Sequence, residues 1–342
     1  MNDQKRGRET INPMNVLTAV TQTTQSNDDK KPVGNDICAL RKPNEAGKIM
    51  VVIFHKFVED FQPSQTDNGA FTTTIVSFRK LLETLYDKGY RLINLNDYLK
   101  GDVSVPVGCI PIVFTYDDGA AGQFNLVEKE GKLVANPKTA VGVMEDFNQL
   151  HPDFGLKGTF YVNLGLETFK GKGSLSQRLK YLIDKGFEIG NHTLTHINLK
   201  NEQNTERIIR EIGGEQKVMQ QLVPGYHLNT FALPYGQFPK VLDRAIVKGK
   251  YKGVKYENFA IMKVAWDPMD SPWDVSFDPF SFRRVLSACM NPAVGDLDWW
   301  IKNLPLKEQY VSDGSAEVVT VPLVDLCKVD LKKLKEKRLI LN

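Results

Sequence analysis

The stretch PIVFTYDDG, residues 111–119, joins an apolar run to two adjacent acids and a glycine. The run 111–116 is rich in β-branched and aromatic residues, which is typical of a buried strand. Asp117 and Asp118 stand where that strand ends. Because functional side chains gather at the carboxyl ends of parallel strands, this stretch predicts a pair of carboxylates at a functional site.

A second stretch of the chain offers two histidines in a similar setting. The apolar run 186–190 ends in NHTLTH, residues 191–196, so that His192 and His196 are four residues apart. Histidines at this spacing lie on one side of a helical turn and can share a cation. One of the two acids would complete three ligands and leave open positions for water and substrate. Since neighbouring side chains of a strand point in opposite directions, we expect one acid to be a ligand and the other a base.

The two motifs together favour a divalent metal site. Alone, an Asp-Asp-Gly sequence is usually a turn, and an isolated H-x-x-x-H is usually a pair of surface histidines. Found together, each at a strand end, they indicate a site. Without a cation, two crowded carboxylates would repel each other. Zinc in such a site lowers the pKa of its water to about 7, which supplies a nucleophile at neutral pH.

Strand-like and helical segments alternate along the chain. The strand-like runs are residues 48–55, 90–95, 110–116, 158–163, 186–190 and 229–233. Helical spacing of apolar residues is found at 73–88, before a capping Gly89, and at 139–150. This alternation predicts an α/β fold of parallel strands joined by helices, as an open sheet or a barrel.

Composition narrows the class of protein. The 342 residues are 42% hydrophobic and 25% charged, which is ordinary for a globular protein of one large or two modest domains. A net charge of +3 gives no reason to expect nucleic acid as a partner. Residues 1–31 contain no apolar stretch long enough for a signal peptide or a transmembrane segment. We therefore expect either a cytoplasmic protein or a chain from which a leader was removed.

The chain divides unevenly. Residues 1–47 are polar without an apolar period and are predicted to be a flexible leader. Residues 48–342 are predicted to be the catalytic domain, with a C-terminal extension from about 285. The segment 266–282 is predicted to be a long loop near the mouth of the site. The cysteines are expected to be buried thiols, with a disulfide left open; they are Cys38, Cys109, Cys289 and Cys327.

These motifs resemble those of the NodB-type polysaccharide deacetylases, carbohydrate esterase family 4. The family's T-F-D-D-G motif is similar to residues 115–119, its H-[ST]-x-x-H motif to 192–196 and its P-Y-G motif to 234–236. Segments 51–56 and 78–90 resemble the branch that deacetylates poly-N-acetylglucosamine. The resemblance implies a distorted (β/α) barrel with parallel strands, outer helices and a groove at the strand carboxyl ends.

The resemblance also implies roles for individual residues. Asp117 would be the general base, and the backbone N–H of Tyr235 would stabilise the oxyanion. His55 would be the general acid that protonates the leaving amine. The implied metal ligands are Asp118, His192 and His196. Sugar contacts are expected from Pro234, Tyr235, Trp266 and Trp273, although core packing is an equal alternative for the two tryptophans.

Two departures from the family pattern affect these roles. Ala232 stands where many relatives have an arginine that positions the base, so another group must tune the pKa of Asp117. No histidine follows His227, so the late histidine acid of many relatives is absent. The residues 296–299 (DLDW) are similar to the family's fourth motif, but they are also a typical helix start.

The resulting hypothesis is a metal-dependent hydrolase, acting on non-peptide C–N bonds, that removes acetyl groups from N-acetylglucosamine units of a polysaccharide. Zinc is the expected cofactor, with cobalt, nickel or iron as alternatives. The resemblance implies a secreted or cell-envelope location. Two alternatives remain: a carbohydrate-binding envelope protein that has lost turnover, and a deacylase of a small amide with a closed pocket.

Overall fold

The fold is built on sixteen strands and eight helices within residues 35–62, 69–239, 244–287 and 290–342, which the computed structural model describes. The strands are β1 (Met50–Phe54), β2 (Lys56–Val58), β3 (Thr72–Thr74), β4 (Tyr90–Leu92), β5 (Ile110–Asp117), β6 (Leu126–Lys129), β7 (Lys132–Ala135), β8 (Thr159–Val162), β9 (Glu188–Asn191), β10 (Thr230–Ala232), β11 (Lys248–Tyr251), β12 (Val254–Glu257), β13 (Ala260–Val264), β14 (Phe282–Leu286), β15 (Val318–Val321) and β16 (Arg338–Leu341). The helices are α1 (Asn35–Ala39), α2 (Ile75–Asp87), α3 (Leu95–Lys100), α4 (Ala140–Leu150), α5 (Leu175–Asp184), α6 (Thr205–Leu222), α7 (Arg244–Val247) and α8 (Leu297–Asn303).

Seven parallel strands close into a ring in the order β1, β14, β13, β10, β9, β8 and β5, and the pairing of β1 with β5 completes it. β4 pairs with the first half of β5, and β8 pairs with the second half on the same side. The predicted distorted (β/α) barrel is confirmed.

Alternation along the strands divides the core into an inner and an outer part. Val51, Val113 and Tyr161 belong to the cluster inside the ring. Their neighbours Val52 and Phe114 belong to the cluster packed beneath the outer helices. Successive strand side chains point to opposite faces, so every second residue of a fully buried strand faces the barrel interior.

The outer helices begin and end where the sequence indicates. The hydroxyl of Thr74 caps α2 by accepting from the N–H of Ser77, and Gly89, two residues after the helix, has φ of 77°. Thr139 caps α4 in the same way. Asp296 caps α8, so the segment similar to the fourth family motif is a helix start. These caps satisfy backbone groups that the helix itself leaves unpaired.

The last part of the barrel differs from the sequence-based prediction. β13 and β14 were not among the predicted strands, and the boundary at about 285 falls inside β14. The segment 266–282 is not confined to the site end. It returns from the carboxyl end of β13 to the amino end of β14, and on the way Met269 pairs with Ile49, which precedes β1. A connection between parallel strands must make this return.

The predicted leader also needs correction. Residues 1–34 lie outside the described part of the chain, but residues 35–47 are folded against the domain. Glu45 is 1% exposed and accepts hydrogen bonds from the backbone of Asp313 and Thr320. Cys38 is buried and forms a disulfide with Cys109, just before β5.

The prediction of four thiols is therefore wrong for Cys38 and Cys109. Cys327 is an exposed free cysteine, and Cys289 lies outside the described residues. Widely spaced cysteines do not reveal their pairing, because the fold brings together residues that are 71 positions apart. Among the described helices, none is both long and apolar enough to cross a membrane.

The disulfide should stabilise the domain. We expect the double variant Cys38→Ser/Cys109→Ser to lose about 2–4 kcal/mol in free energy of unfolding, because the unfolded chain regains the freedom of a long closed loop. Urea unfolding monitored by tryptophan fluorescence measures this. Cys327→Ser is the matched control and should unfold as the wild type does. An unchanged midpoint for the double variant would contradict the expectation.

Candidate metal centre and catalytic site

The side chains singled out by the sequence meet where the barrel strands end. His55 follows β1, Asp117 is the last residue of β5, and His192 follows β9. They line a pocket of about 500 Å³, to which Asp118, His196 and Tyr235 also contribute. The closed parallel ring brings these strand ends to one side of the molecule, as expected for barrels of this kind.

Asp118, His192 and His196 form a cluster of metal-ligating side chains. One ligand atom from each lies within 4.8 Å of the other two. Asp118 Oδ1 is 3.5 Å from His192 Nε2 and 3.4 Å from His196 Nε2. Nitrogen and oxygen ligands bind zinc at about 2.0–2.2 Å, so two ligands at a tetrahedral ion stand roughly 3.4 Å apart. The three side chains therefore fit a divalent cation.

Hydrogen bonding orients His192 for this purpose. Its Nδ1 is 2.8 Å from the backbone carbonyl oxygen of Ala232, which can only accept a hydrogen bond. Nδ1 therefore carries a proton, and Nε2 faces Asp118. A histidine held in this way is the usual arrangement of a metal ligand. Ala232, which stands where the family pattern has an arginine, thus helps to orient a ligand through its backbone.

The electrostatics of the cluster also suit a cation. Burial would raise the pKa of Asp118, but the hydrogen bond and charge of His192 outweigh burial and lower that pKa to about 2. Burial and the charge of His192 lower the pKa of His196, which favours the neutral imidazole that binds metals. For His192, burial lowers the pKa, but the charge of Asp117 and the contacts with Asp118 outweigh it, so the pKa is raised. Two carboxylates thus draw positive charge into the site.

Asp117 does not belong to the ligand cluster and instead forms an ion pair with Arg284, a residue that the sequence analysis missed. Arg284 is fully buried on β14, and its Nη1 and Nη2 donate to Oδ1 and Oδ2 of Asp117 at 2.6 and 2.8 Å. Nη1 also lies 3.2 Å from the hydroxyl of Thr115. Burial would raise the pKa of Asp117, but Arg284 and His192 outweigh it and lower that pKa. Arg284 supplies the positive group that Ala232 cannot.

Backbone strain is concentrated at the same place. Four of the eight non-glycine residues with positive φ in the described part of the chain are at this site: Asp118, Thr193, His196 and Tyr235. A non-glycine residue held in this conformation costs about 1–3 kcal/mol, so the surroundings must compensate.

Buried polar side chains hold the strained segment that carries the histidines. Glu211, fully buried on α6, accepts from both the N–H and the hydroxyl of Thr195, at 2.9 and 2.8 Å. Asn191 accepts from the N–H of Thr193 and donates to the carbonyl of Ile212. These bonds fix the turn between the two histidines against α6.

Gln123 joins two of the site strands. Its amide Nε2 donates to the backbone carbonyls of His55 and Asp117, and the residue is fully buried. Gln123 therefore ties the end of β1 to the end of β5. Neither Gln123 nor Glu211 belongs to a recognisable motif, because each acts through contacts that form only when the chain folds.

Of the four residues expected to contact sugar, only Tyr235 lines the pocket. Tyr235 lines it and is 61% exposed, with its ring 4.7 Å from that of His196. Pro234 is buried in the turn Pro234–Gly236 and shapes the backbone there. Trp266 is exposed and lies two residues beyond β13, outside the pocket lining.

Trp273 is not a site residue. It is 4% exposed and packs in the core, against Gly101. The segment that carries Trp273 has by then returned toward the amino end of the barrel, away from the pocket. Phe71, which the sequence analysis did not select, lines the pocket instead, with its ring 4.9 Å from that of His55.

Fold and site together define a parallel (β/α) barrel with a candidate metal centre and a separate, charge-paired carboxylate at its carboxyl end. Comparison with known families agrees with this class. Residues 105–254 match the family model described as polysaccharide deacetylase. The matched stretch, 150 of the 342 residues, contains Asp117, Asp118, His192 and His196. No curated protein matches the chain.

Solved structures support the fold. A polysaccharide deacetylase from Bacillus cereus superposes with a TM-score of 0.54 and 19% identity, over 75% of this chain and 69% of that one. A deacetylase from Streptococcus pyogenes in complex with acetate gives 0.53 and 14%, over 72% and 93%. A de-N-acetylase from Aggregatibacter actinomycetemcomitans gives 0.50 and 14%, over 72% and 97%. At these identities the likeness concerns the fold alone.

Removal of Glu211 should loosen the ligand cluster. We expect Glu211→Ala to weaken zinc binding by about 10–100-fold, as other losses of a ligand's supporting hydrogen bonds do, because Thr195 loses both its bonds. Glu211→Gln keeps one acceptor oxygen and should lose less. Titration with zinc against a competing chelator measures the affinity. Gln221→Ala, at the exposed end of the same helix, is the control. Wild-type affinity in Glu211→Ala would count against this role.

Proposed function

We propose that the protein is a metal-dependent deacetylase that hydrolyses N-acetyl groups on N-acetylglucosamine units of a polysaccharide. Zinc is the proposed cation, with cobalt, nickel or iron as alternatives. One observation carries the proposal: the pocket combines a three-ligand Asp/His cluster with a second, buried carboxylate that Arg284 keeps ionised. A protein that only bound sugar would not need that carboxylate beside the ligands.

Each residue has a distinct part in this proposal. A cation bound by Asp118, His192 and His196 would act as a Lewis acid on the acetyl group and on water. Asp117 is ionised, and each of its oxygens keeps a lone pair beyond those that Arg284 uses, so it can accept the proton of the attacking water. The carbon–nitrogen bond then breaks, and acetate and a free amine are the products.

Two more groups complete the reaction. We assign the proton for the leaving amine to His55, which lines the same pocket. Burial lowers the pKa of His55 below its usual value, so its protonated form gives up a proton more readily than an ordinary imidazolium does. We assign the backbone N–H of Tyr235 to the negative charge that develops on the carbonyl oxygen, a contribution of about 3 kcal/mol for a well-placed donor.

The rim of the pocket suits a polymer better than a small amide. Tyr235 and Phe71 are 61% and 39% exposed at its edge, and Asp118 is 43% exposed. Flat rings at an open edge can pack against pyranose faces. A deacylase of a small molecule would more typically enclose its substrate.

The disulfide supports a location outside the cytoplasm. Disulfides such as Cys38–Cys109 persist in oxidising compartments and are rare in reducing ones. We therefore propose that the protein works in the cell envelope or is secreted, where polysaccharide substrates are found.

The second candidate is a carbohydrate-binding protein without turnover. It drew support from Ala232, which replaces an arginine of the family pattern. Arg284 now provides an arginine in contact with Asp117, so that support is removed. The general acid that many relatives supply from a later histidine is absent, because no histidine follows His227. We assign this role to His55.

The decisive experiment measures acetyl release from N-acetylglucosamine oligomers of β-1,4 and β-1,6 linkage, with free amines as the readout. We expect Asp117→Asn to lower kcat by about 10²–10⁴-fold, the usual contribution of a general base, while the variant still binds zinc. Chelation should abolish release, and zinc should restore it. His196→Ala should lose the metal.

Two outcomes would overturn the proposal. Oligomer binding without release by metal-loaded wild type would favour the carbohydrate-binding protein. Release that is unaffected in Asp117→Asn would remove Asp117 from its role.

Arg284 should set the pH dependence of the reaction. Asp117 must be ionised to accept a proton, and Arg284 lowers its pKa. We expect Arg284→Gln to shift the acid limb of kcat/KM upward by about one pH unit or more, with the shift in Arg284→Lys smaller because a charge remains. A pH–rate profile of each variant tests this. The same acid limb in all three proteins would show that Arg284 does not act through Asp117.

A further inference from the structure

The hairpin of β11 and β12 has an unusual concentration of positive charge. Its sequence, KGKYKGVKYE, contains four lysines and one glutamate, so its net charge of +3 equals that of the whole chain. Lys248, Lys250, Lys252 and Lys255 are all exposed. Among the residues that the structure describes, none of these lysines forms a salt bridge.

The strand register puts like charges together. Lys250 lies directly opposite Lys255, and Lys248 is on the same face, opposite Glu257. Like charges at directly opposed positions destabilise a strand pair. The opposite face of the hairpin carries Tyr251 and Tyr256 and packs against α6. The lysines are therefore held by a rigid support in an arrangement that their mutual repulsion disfavours.

A pocket of about 470 Å³ lies beside the lysine face. Lys248, Lys250, Lys255 and His227 line it together, and Glu257 is its one acidic residue among those described. Phe259, 54% exposed, lies at the same pocket. The pocket is at the amino end of the barrel, since His227 and Phe259 stand just before β10 and β13. It is thus separate from the metal centre.

We propose that this pocket is a second binding site, for an acidic polysaccharide whose negative groups contact the lysines and whose sugar ring packs on Phe259. Charge complementarity argues for an anion, and an exposed aromatic ring beside it suits a pyranose face. The choice of a glycan over other polyanions rests on the function proposed above. The site would hold acidic groups of a mixed substrate polymer, or of the matrix around it, while N-acetylglucosamine units enter the metal centre.

The β6–β7 hairpin provides a matched control. Lys129 lies opposite Lys132 in the same way, and both are exposed. There, however, Glu128 and Glu130 balance the charge, and neither lysine lines any of the pockets described above. The same double substitution can therefore be made on both hairpins.

The test is calorimetric titration of the full chain at low salt with an oligogalacturonate. Lys250→Gln/Lys255→Gln should weaken binding by about tenfold or more, and the slope of log affinity against log salt should fall by about one per lysine removed. Lys129→Gln/Lys132→Gln should bind as wild type does. Thermal melting should show that the Lys250/Lys255 variant is no less stable than wild type, because a repulsion has been removed. Phe259→Ala should also weaken binding.

Further ligands separate the sources of negative charge. The methyl ester of the oligogalacturonate should bind weakly, and a phosphorylated glycan that binds equally well would extend the site to phosphate groups. Equal weakening in both hairpin variants, or tighter binding of a single-stranded oligonucleotide of equal charge, would overturn the proposal. Asp117→Asn should keep full oligogalacturonate binding. If wild type binds through these lysines but releases no acetyl group, the proposed function fails and this site stands; the reverse result overturns only this site.

Discussion

The pairing of β1 with β5 is the constraint on which the site depends. Five consecutive residues of each strand pair in parallel, and this closes the ring. β1 then lies between β14 and β5, so Arg284 reaches across it, inside the barrel, to Asp117. Without the pairing of β1 with β5, these two strands would stand at opposite edges of an open sheet, and β14 would be far from β5. Arg284 and Asp117 would then both be without their partner, at a cost of several kcal/mol.

The same rigid ring supports strained backbone at its carboxyl end. Asp118, Thr193, His196 and Tyr235 all have positive φ, and each conformation costs free energy that a loop alone would not retain. Buried hydrogen bonds offset this cost, and they are made by Glu211, Asn191 and Gln123. Contacts within the protein thus hold the ligand cluster in place, which would lower the cost of ordering it on binding a cation.

The amino end of the barrel carries the N-terminal segment, the disulfide and the lysine face. The disulfide, the buried Glu45 and the residues 35–47 all join the domain there. The lysine face of the β11–β12 hairpin is also at this end. A modest net charge for the whole chain concealed this local concentration, because charges elsewhere balance one another. Net charge describes the average field of a protein, whereas a binding surface depends on where the charges lie.

The barrel was implied only by the family resemblance, since the alternation of strands and helices left an open sheet possible. The residues alone predicted parallel strands, helices such as α2 and α4, and the strand ends that carry Asp117, Asp118, His192 and His196. These follow from local periodicity, caps and short motifs, all of which are properties of neighbouring residues. The folded structure was needed to show that Arg284 takes the place of the arginine missing at Ala232, that Cys38 pairs with Cys109, and that Trp273 is core while Phe71 lines the pocket. Each of these depends on contacts between residues far apart in sequence. A single chain carries no local signal for such contacts, because they form only when distant segments pack together.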